Sequence, residues 1–238
     1  MQNKFLHILN NTLTDYKSKK YLLAVSGGVD SMVLLRFFEQ EHLEFGVAHC
    51  NFQLRNNDSK LDEQLIKEVC LAKSITFHVK KFETCIVADA NKESIQITAR
   101  NLRYNWFNEI AKAQNYDFIV TAHHSNDNLE TAIYKLAKGT GIKGVRGILP
   151  LHKNIIRPLI NYTKNELIAF AKDHQIVWRE DVSNESTKYR RNFIRKKIIP
   201  LFEELNPQAV NNFAQSAERL RLAEQVLNDK IIELKEKI

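Results

Sequence analysis

The sequence predicts a doubly wound α/β fold with a parallel sheet flanked by helices. Short continuous apolar runs alternate with helical patterns along most of the chain. Glycine or polar clusters sit where the runs end, as in SGGVDS and TAHHSND. A continuous apolar run suits a strand buried on both faces, and crossover helices between such strands make the sheet parallel. Ligands of this architecture bind at the carboxyl ends of the strands.

Each element follows from its pattern. Phe5, Leu6, Leu9 and Leu13 recur at helical spacing and predict an amphipathic first helix. YLLAV is the first strand, and MVLLRFFEQ after SGGVDS is a helix. EFGVAHC is a strand, followed by the helix SKLDEQLIKEVCLAKS with Asp58 or Ser59 as its cap. ITFHVKKF is a strand, ESIQITARNLRYNWFNEIAKAQ a long helix, DFIVTAHH a strand and NDNLETAIYKLAKG a helix.

The texture then changes. GTGIKGVRGILP gathers Gly139, Gly141, Gly144 and Gly147 in one loop, with Lys143 and Arg146 to close over a ligand. NIIRPLI is a short extended piece, TKNELIAFAKDH a helix, EDVSNESTK a polar loop and YRRNFIRKKIIP a basic helix. From Pro207 the pattern is one amphipathic helix with no glycine or proline stop, as if cut within a longer protein. We therefore expect a catalytic domain over 1–205 and a small C-terminal helical segment over 206–238, leading to further domains.

Composition narrows the class. Hydrophobic residues make up 44% and charged residues 26% of the 238 positions, which suits a packed core. No run reaches the roughly 20 apolar residues of a membrane helix, and the N-terminus lacks a signal-peptide pattern. Cys50, Cys70 and Cys85 are too scattered for a disulfide framework or a CxxC metal site. A reduced, cytoplasmic protein is the expectation, with no protein-held metal site. A net charge of +7 leans towards a polyanionic partner.

SGGVDS joins a buried strand to a helix. Gly27 and Gly28 bring backbone amides close to an anion, the helix starting near Asp30 adds a positive dipole end, and Ser26 and Ser31 add hydroxyls. The lysine and spacing of a Walker A loop are absent, so ATP is held in another way. The plain alternative is a turn with Asp30 as helix cap. SGGVDS resembles the PP-loop of the N-type ATP pyrophosphatases, which cleave ATP between the α and β phosphates.

Further stretches carry a narrower resemblance. AHCNFQLR with His49 and Arg55, TAHHSNDNLET, ARNLRYNWF, RPLI, WREDVSNES and YRRNFIRKKIIP together resemble the tRNA(Ile)-lysidine synthetases over nearly the whole chain. One departure is Phe52, where HxNHxLR would place a second histidine. The resemblance implies an adenine nucleotide alpha hydrolase-like fold and a two-step ligation. ATP, arriving with Mg²⁺ near Asp30, adenylates C2 of the wobble cytidine in the CAU-anticodon isoleucine tRNA, and free L-lysine displaces AMP. The expected ATP-binding set is Ser26, Gly27, Gly28, Val29, Asp30, Ser31 and His49.

Lysine's amine, with an ordinary pKa of about 10.4, must lose a proton before attack, which a carboxylate can accept. Asp127 is the candidate, with His123 and Glu130 four and three residues away on one helix face, completing a lysine and cytidine site with Arg103. The alternative makes Asp127 the helix cap in a capping box with Glu130. Adjacent His123 and His124 point to opposite sides of a strand, against a metal pair. Arg100, counted with Asp127 and Asp30 as catalytic, and Arg103 lie three apart, suited to clamp phosphates or stack on a base; the alternative is a solvated pair beside an aromatic stripe. Arg190, Arg191, Arg195 and Lys196, with Lys197, form a stripe to track tRNA phosphates, against a plain solvated basic helix.

Rival readings are a tRNA thiolation enzyme, which needs cysteine pairs, a glutamine amidotransferase, and a non-catalytic ATP- or tRNA-binding module. The last helices offer a surface for homodimerisation.

Overall fold

The computed structural model describes residues 1–55, 57–180, 190–235 and 237. The polar loop EDVSNESTK and Tyr189 lie outside the described residues, apart from Glu180. The helices are α1 (Gln2–Thr12), α2 (Val29–Gln40), α3 (Asn57–Ala72), α4 (Thr84–Asn91), α5 (Ile95–Ala113), α6 (Ser125–Leu136), α7 (Ile142–Val145), α8 (Lys164–Asp173), α9 (Arg190–Phe193), α10 (Ile199–Leu205) and α11 (Ala209–Lys235). The strands are β1 (Lys20–Ala24), β2 (Glu44–Asn51), β3 (Thr76–Lys81), β4 (Phe118–Val120), β5 (Leu151–His152) and β6 (Ile155–Ile156).

The sheet runs β3-β2-β1-β4-β6-β5. It is parallel from β3 to β6, and β5 closes the edge as an antiparallel partner of β6. The predicted parallel sheet is therefore present, with a hairpin edge that NIIRPLI only half announced. Its strand order reverses between β1 and β4, which is where this architecture opens a crevice.

The chain divides into two compact units. The first comprises residues 1–122, 150–158 and 167–180, and it holds the whole sheet. Period-2 alternation along β1 sets its two cores. Leu22, with Ala48 and Ile119, packs on Trp106, Phe107, Ile110 and Ala111 of α5. Tyr21 turns the other way, its ring 5.1 Å from that of Phe38 on α2, and Phe38 in turn meets Phe5 of α1 at 5.4 Å. Phe37 meets Phe170 of α8 with ring centres 4.7 Å apart and the planes tilted by 51°. Each fully buried ring of this kind adds about 1.5–3 kcal/mol over an exposed one.

The second unit comprises residues 123–149, 159–166 and 181–238. Leu129 of α6, Ile194, Ile199 and Val210 of α11 form its apolar centre. The basic stretch is not one plain α-helix: Ile194–Ile198 is a π-turn between α9 and α10, with Pro200 at the start of α10. Proline lacks the N–H that a continuing α-helical ladder needs there.

Several local expectations are corrected. α3 opens at Asn57, so Asp58 lies in its first turn, and Ser59 lies inside it. α4 was not expected at all, because TCIVADAN has no periodic apolar face. β4 stops at Val120, so His123 and His124 lie in the turn beyond the strand rather than on it. The glycine-rich loop contains a helical turn, α7.

Candidate active site

The first unit builds its loop at the end of β1 from backbone. Val25 extends the β1 ladder by one bond, its N–H donating to Ala48 at 3.0 Å. Gly27 then takes φ +90°, a region that side chains rarely tolerate. Gly28, extended, is the N-cap of α2, and no side chain caps that helix. Its first amides and dipole end thus face outward with only glycine before them. The cap is Gly28, so Asp30 is not the cap but a first-turn residue.

Hydroxyls hold the turn shut. Ser31 Oγ donates to the Gly28 carbonyl at 2.9 Å and accepts from the Ser26 N–H at 3.2 Å. Ser26 Oγ lies 3.3 Å from Ser31 Oγ. Behind the loop, the Arg179 N–H donates to the Gly27 carbonyl at 3.0 Å. Asp62, 6% exposed, accepts from Arg55 at 2.9 Å and from Arg179 Nε at 2.8 Å. Arg179 also reaches Asp58 at 2.9 Å. No local motif marks Asp62, and its partner Arg179 lies 117 positions away, so the pair is invisible in the sequence.

His49 is buried and anchors the same turn. Its Nδ1 lies 2.9 Å from the Val25 carbonyl. A carbonyl can only accept, so the proton sits on Nδ1 and Nε2 is an acceptor. Burial pushes the imidazole pKa down, against the opposing pull of that hydrogen bond and of Glu63 and Asp62. On α5, the Arg100 guanidinium lies 4.9 Å from the Tyr104 ring centre, and Arg103 lies 5.2 Å over Phe52. Phe52 itself stacks on Phe82 at 5.5 Å. The residue that departs from the HxNHxLR pattern therefore serves as a platform for Arg103.

The second unit builds a centre from side-chain charge. α6 opens at Ser125 with His124 as N-cap, so His123 precedes the helix. Asp127 is not the cap; its Oδ2 accepts the His124 N–H at 3.0 Å, and Glu130 takes no part in capping. Arg195 binds Glu130 through both oxygens, at 2.5 and 3.1 Å, and reaches Asp127 at 3.3 Å. Glu130 is 2% exposed. Burial pushes the Glu130 pKa up, and Arg195 offsets only part of that. Burial also raises Asp127, but His124, His123, the His124 amide and Arg195 outweigh it, and its carboxyl is held below the usual range. Two neighbouring carboxylates are thus driven apart in acidity.

The basic stripe is divided by this centre. Arg195 is committed to Asp127 and Glu130, and Arg191 donates to Thr131 at 3.3 Å. Arg190, Lys196 and Lys197 are exposed. In the glycine-rich stretch, Lys143 is exposed while Arg146 pairs with Glu224 of α11. Buried Asn128 accepts the Ile148 N–H at 2.5 Å and fixes the end of that stretch to α6.

A glycine-turned helix start without a side-chain cap, after the first strand of a parallel sheet, is the arrangement by which α/β proteins bind phosphate groups. The chain belongs to the PP-loop domain family, which it matches over residues 1–202. Among curated relatives it is similar to the tRNA(Ile)-lysidine synthase of Chlorobaculum tepidum, 44% identical over 207 residues, covering 85% of this chain and 62% of the relative. It is also similar to those of Thermosipho africanus, 39% identical with 90% and 51% covered, and Bacteroides thetaiotaomicron, 36% identical with 92% and 51% covered. The chain therefore spans about half to two thirds of the length of these relatives. Among solved structures, a U34-tRNA thiolase of Methanococcus maripaludis with its [4Fe-4S] cluster shares the fold at a TM-score of 0.74 and 15% identity, covering 92% of this chain and 77% of the thiolase. An NH3-dependent NAD synthetase of Campylobacter jejuni shares it at 0.54 and 15%, with 92% and 94% covered.

Proposed function

We propose that the chain carries the catalytic part of a tRNA(Ile)-lysidine synthase, with residues 1–205 as its catalytic domain and 206–238 as a helical segment joined to it. The C2 oxygen of the wobble cytidine in the CAU-anticodon tRNA attacks the α-phosphorus of ATP, and pyrophosphate leaves. The side-chain amine of L-lysine then bonds to C2 while the C2–O bond breaks and AMP departs. A cytosine C2 carbonyl is a poor electrophile, and adenylation supplies the leaving group.

In this reading Ser26, Gly27, Gly28, Val29 and Ser31 hold the phosphates that leave, and His49 holds the turn from behind. Asp30, in the first turn of α2, would help to hold a Mg²⁺ carried in by ATP, which would neutralise phosphate charge there. Arg100 and Arg103 clamp substrate phosphate or base. Arg190, Arg191 and Lys196 meet tRNA phosphates, whereas Arg195 positions the carboxylates. The observation that carries the lysine assignment is Asp127, an ionised, half-buried carboxylate in the first turn of α6, backed by buried Glu130 in its pair with Arg195. It binds the ammonium, with His123 and Glu130 around it, and takes the proton that the amine sheds.

A thiolation chemistry on the same fold would call for paired cysteines, and Cys50, Cys70 and Cys85 stand singly, with only Cys85 exposed. Burial pushes the Cys50 thiol up to about 12 and the Cys70 thiol up to about 11, whereas a sulfur-transferring thiol must ionise readily. Among the described residues no helix is long and apolar enough to cross a membrane. The test is pyrophosphate release from labelled ATP, with and without lysine and unmodified CAU-anticodon tRNA. Release that requires this tRNA, with lysine entering the RNA, supports the reading; ATP binding without release leaves a binding module.

A further inference from the structure

The second unit carries a groove of about 450 Å³ that neither centre uses. Ile133 and Ile198 line it, with Tyr134 beside them and Phe193 49% exposed. Its charged lining residues, Lys138 and Arg190, are both cationic and both exposed. Hydrogen bonds from Lys138 and then Arg190 pull the Tyr134 phenol pKa down. The Lys138 ammonium also sits 4.7 Å from the Tyr134 ring centre. Two cations therefore converge on one phenol oxygen beside an apolar wall, and an anion there relieves their mutual repulsion.

The occupant must match both halves. An acidic peptide brings charge but no flat apolar body, and an apolar helix brings no anion. A nucleotide brings a planar face and a phosphate together. The volume lies near the small end of the 300–1,000 Å³ range of ligand pockets, enough for one nucleotide and too little for a duplex.

We propose that this groove takes a single unpaired nucleotide of the RNA substrate, its base on Phe193 and Tyr134 and its phosphate at Lys138 and Arg190. The identity of that RNA rests on the function proposed above. Aromatic stacking with flanking cations is the general way that proteins hold unpaired nucleotides. The groove adds to the phosphate contacts of the basic stripe a contact that requires an unstacked base.

The test uses Phe193→Ala and Lys138→Glu in the full chain, with a fluorescent unmodified CAU-anticodon stem-loop as probe, across a salt series. Phe193 is half-exposed and Lys138 is at the surface, and melting curves confirm that the variants fold. We expect Phe193→Ala to weaken binding about tenfold. Lys138→Glu should weaken it and flatten the salt dependence by about one counterion. ATP affinity should be unchanged, and ultraviolet cross-linking should join RNA to the peptides carrying Tyr134 or Phe193. Wild-type RNA affinity in both variants overturns the groove while leaving the proposed function standing. Cross-links from the groove to a second copy of the chain also overturn it, assigning the surface to self-association. RNA bound through the groove, without any lysine incorporation, supports the groove and removes the proposed function.

Discussion

The phosphate loop and the Asp127 centre solve opposite problems by opposite means. The loop in the first unit is made of backbone: Gly27 at φ +90°, an uncapped α2 and two serine hydroxyls that bond mainly to the loop itself. Its residues are contiguous, so its chemistry is written in six letters. The centre in the second unit is made of charge, and Arg195 reaches Glu130 across 65 positions. Its acidity pattern exists only once those residues are folded together. In the proposed reaction the backbone loop suits a phosphate anion held by many weak donors, and the charged centre suits the cationic amine.

The comparison breaks first at Gly27. A valine there must adopt a left-handed backbone at a cost of about 1–3 kcal/mol, or displace the loop. We expect Gly27→Val to lower ATP-dependent pyrophosphate release by about 100-fold or more, since misplacement of about 1 Å costs that much. An ideal Cβ at Gly27 would meet Asp62 only at ordinary contact distance, 3.6 Å, so an alanine there is strained by its backbone and not by crowding. Gly27→Ala should accordingly show the same defect, and full activity in it would refute a backbone-built site.

Arg195→Ala sharpens the other side. It strands Glu130, 2% exposed, without its cation. Because the Arg195 side chain is itself 40% exposed, water recovers part of the loss, and we expect about 1–3 kcal/mol of destabilisation by denaturant unfolding. Adding Glu130→Gln should return much of that stability. A double variant no more stable than the single one would show that the pair is not coupled.

The smallest effect concerns His49. Its folded pKa is lowered from 6.5, chiefly by burial. The unfolded chain therefore binds a proton near pH 6.5 that the folded chain refuses, so stability falls as pH drops from about 7 towards the depressed value. His49→Gln should lower stability throughout but flatten that slope, read from thermal unfolding between pH 7 and pH 5.

How much of this was legible follows the same division. The parallel sheet came from continuous apolar runs such as YLLAV, and the loop from SGGVDS, because both are local. β5 was missed because two residues of strand give no periodicity, and α4 because TCIVADAN lacks an apolar face. Asp127 and Glu130 were legible as neighbours at helical spacing, but the cap was misplaced: the helix opens three residues earlier than an Asp127 cap requires, with His124 in that place. Helical spacing puts Arg195 in the basic stripe but does not say which way that face turns, and the side chain pairs with Asp127 and Glu130. Asp62 gives no signal, and Arg179 only as one letter of WREDVSNES, since an ion pair across 117 positions leaves no mark on either local sequence.

The division of labour has one direct test, Asp127→Asn assayed for both half-reactions. The asparagine amide oxygen can still accept the His124 N–H, so the helix start is kept while the charge is removed. The account predicts tRNA-dependent pyrophosphate release near the wild-type rate, with lysine incorporation reduced about 100- to 10,000-fold. Wild-type lysine incorporation, or loss of pyrophosphate release together with ATP affinity, would contradict it.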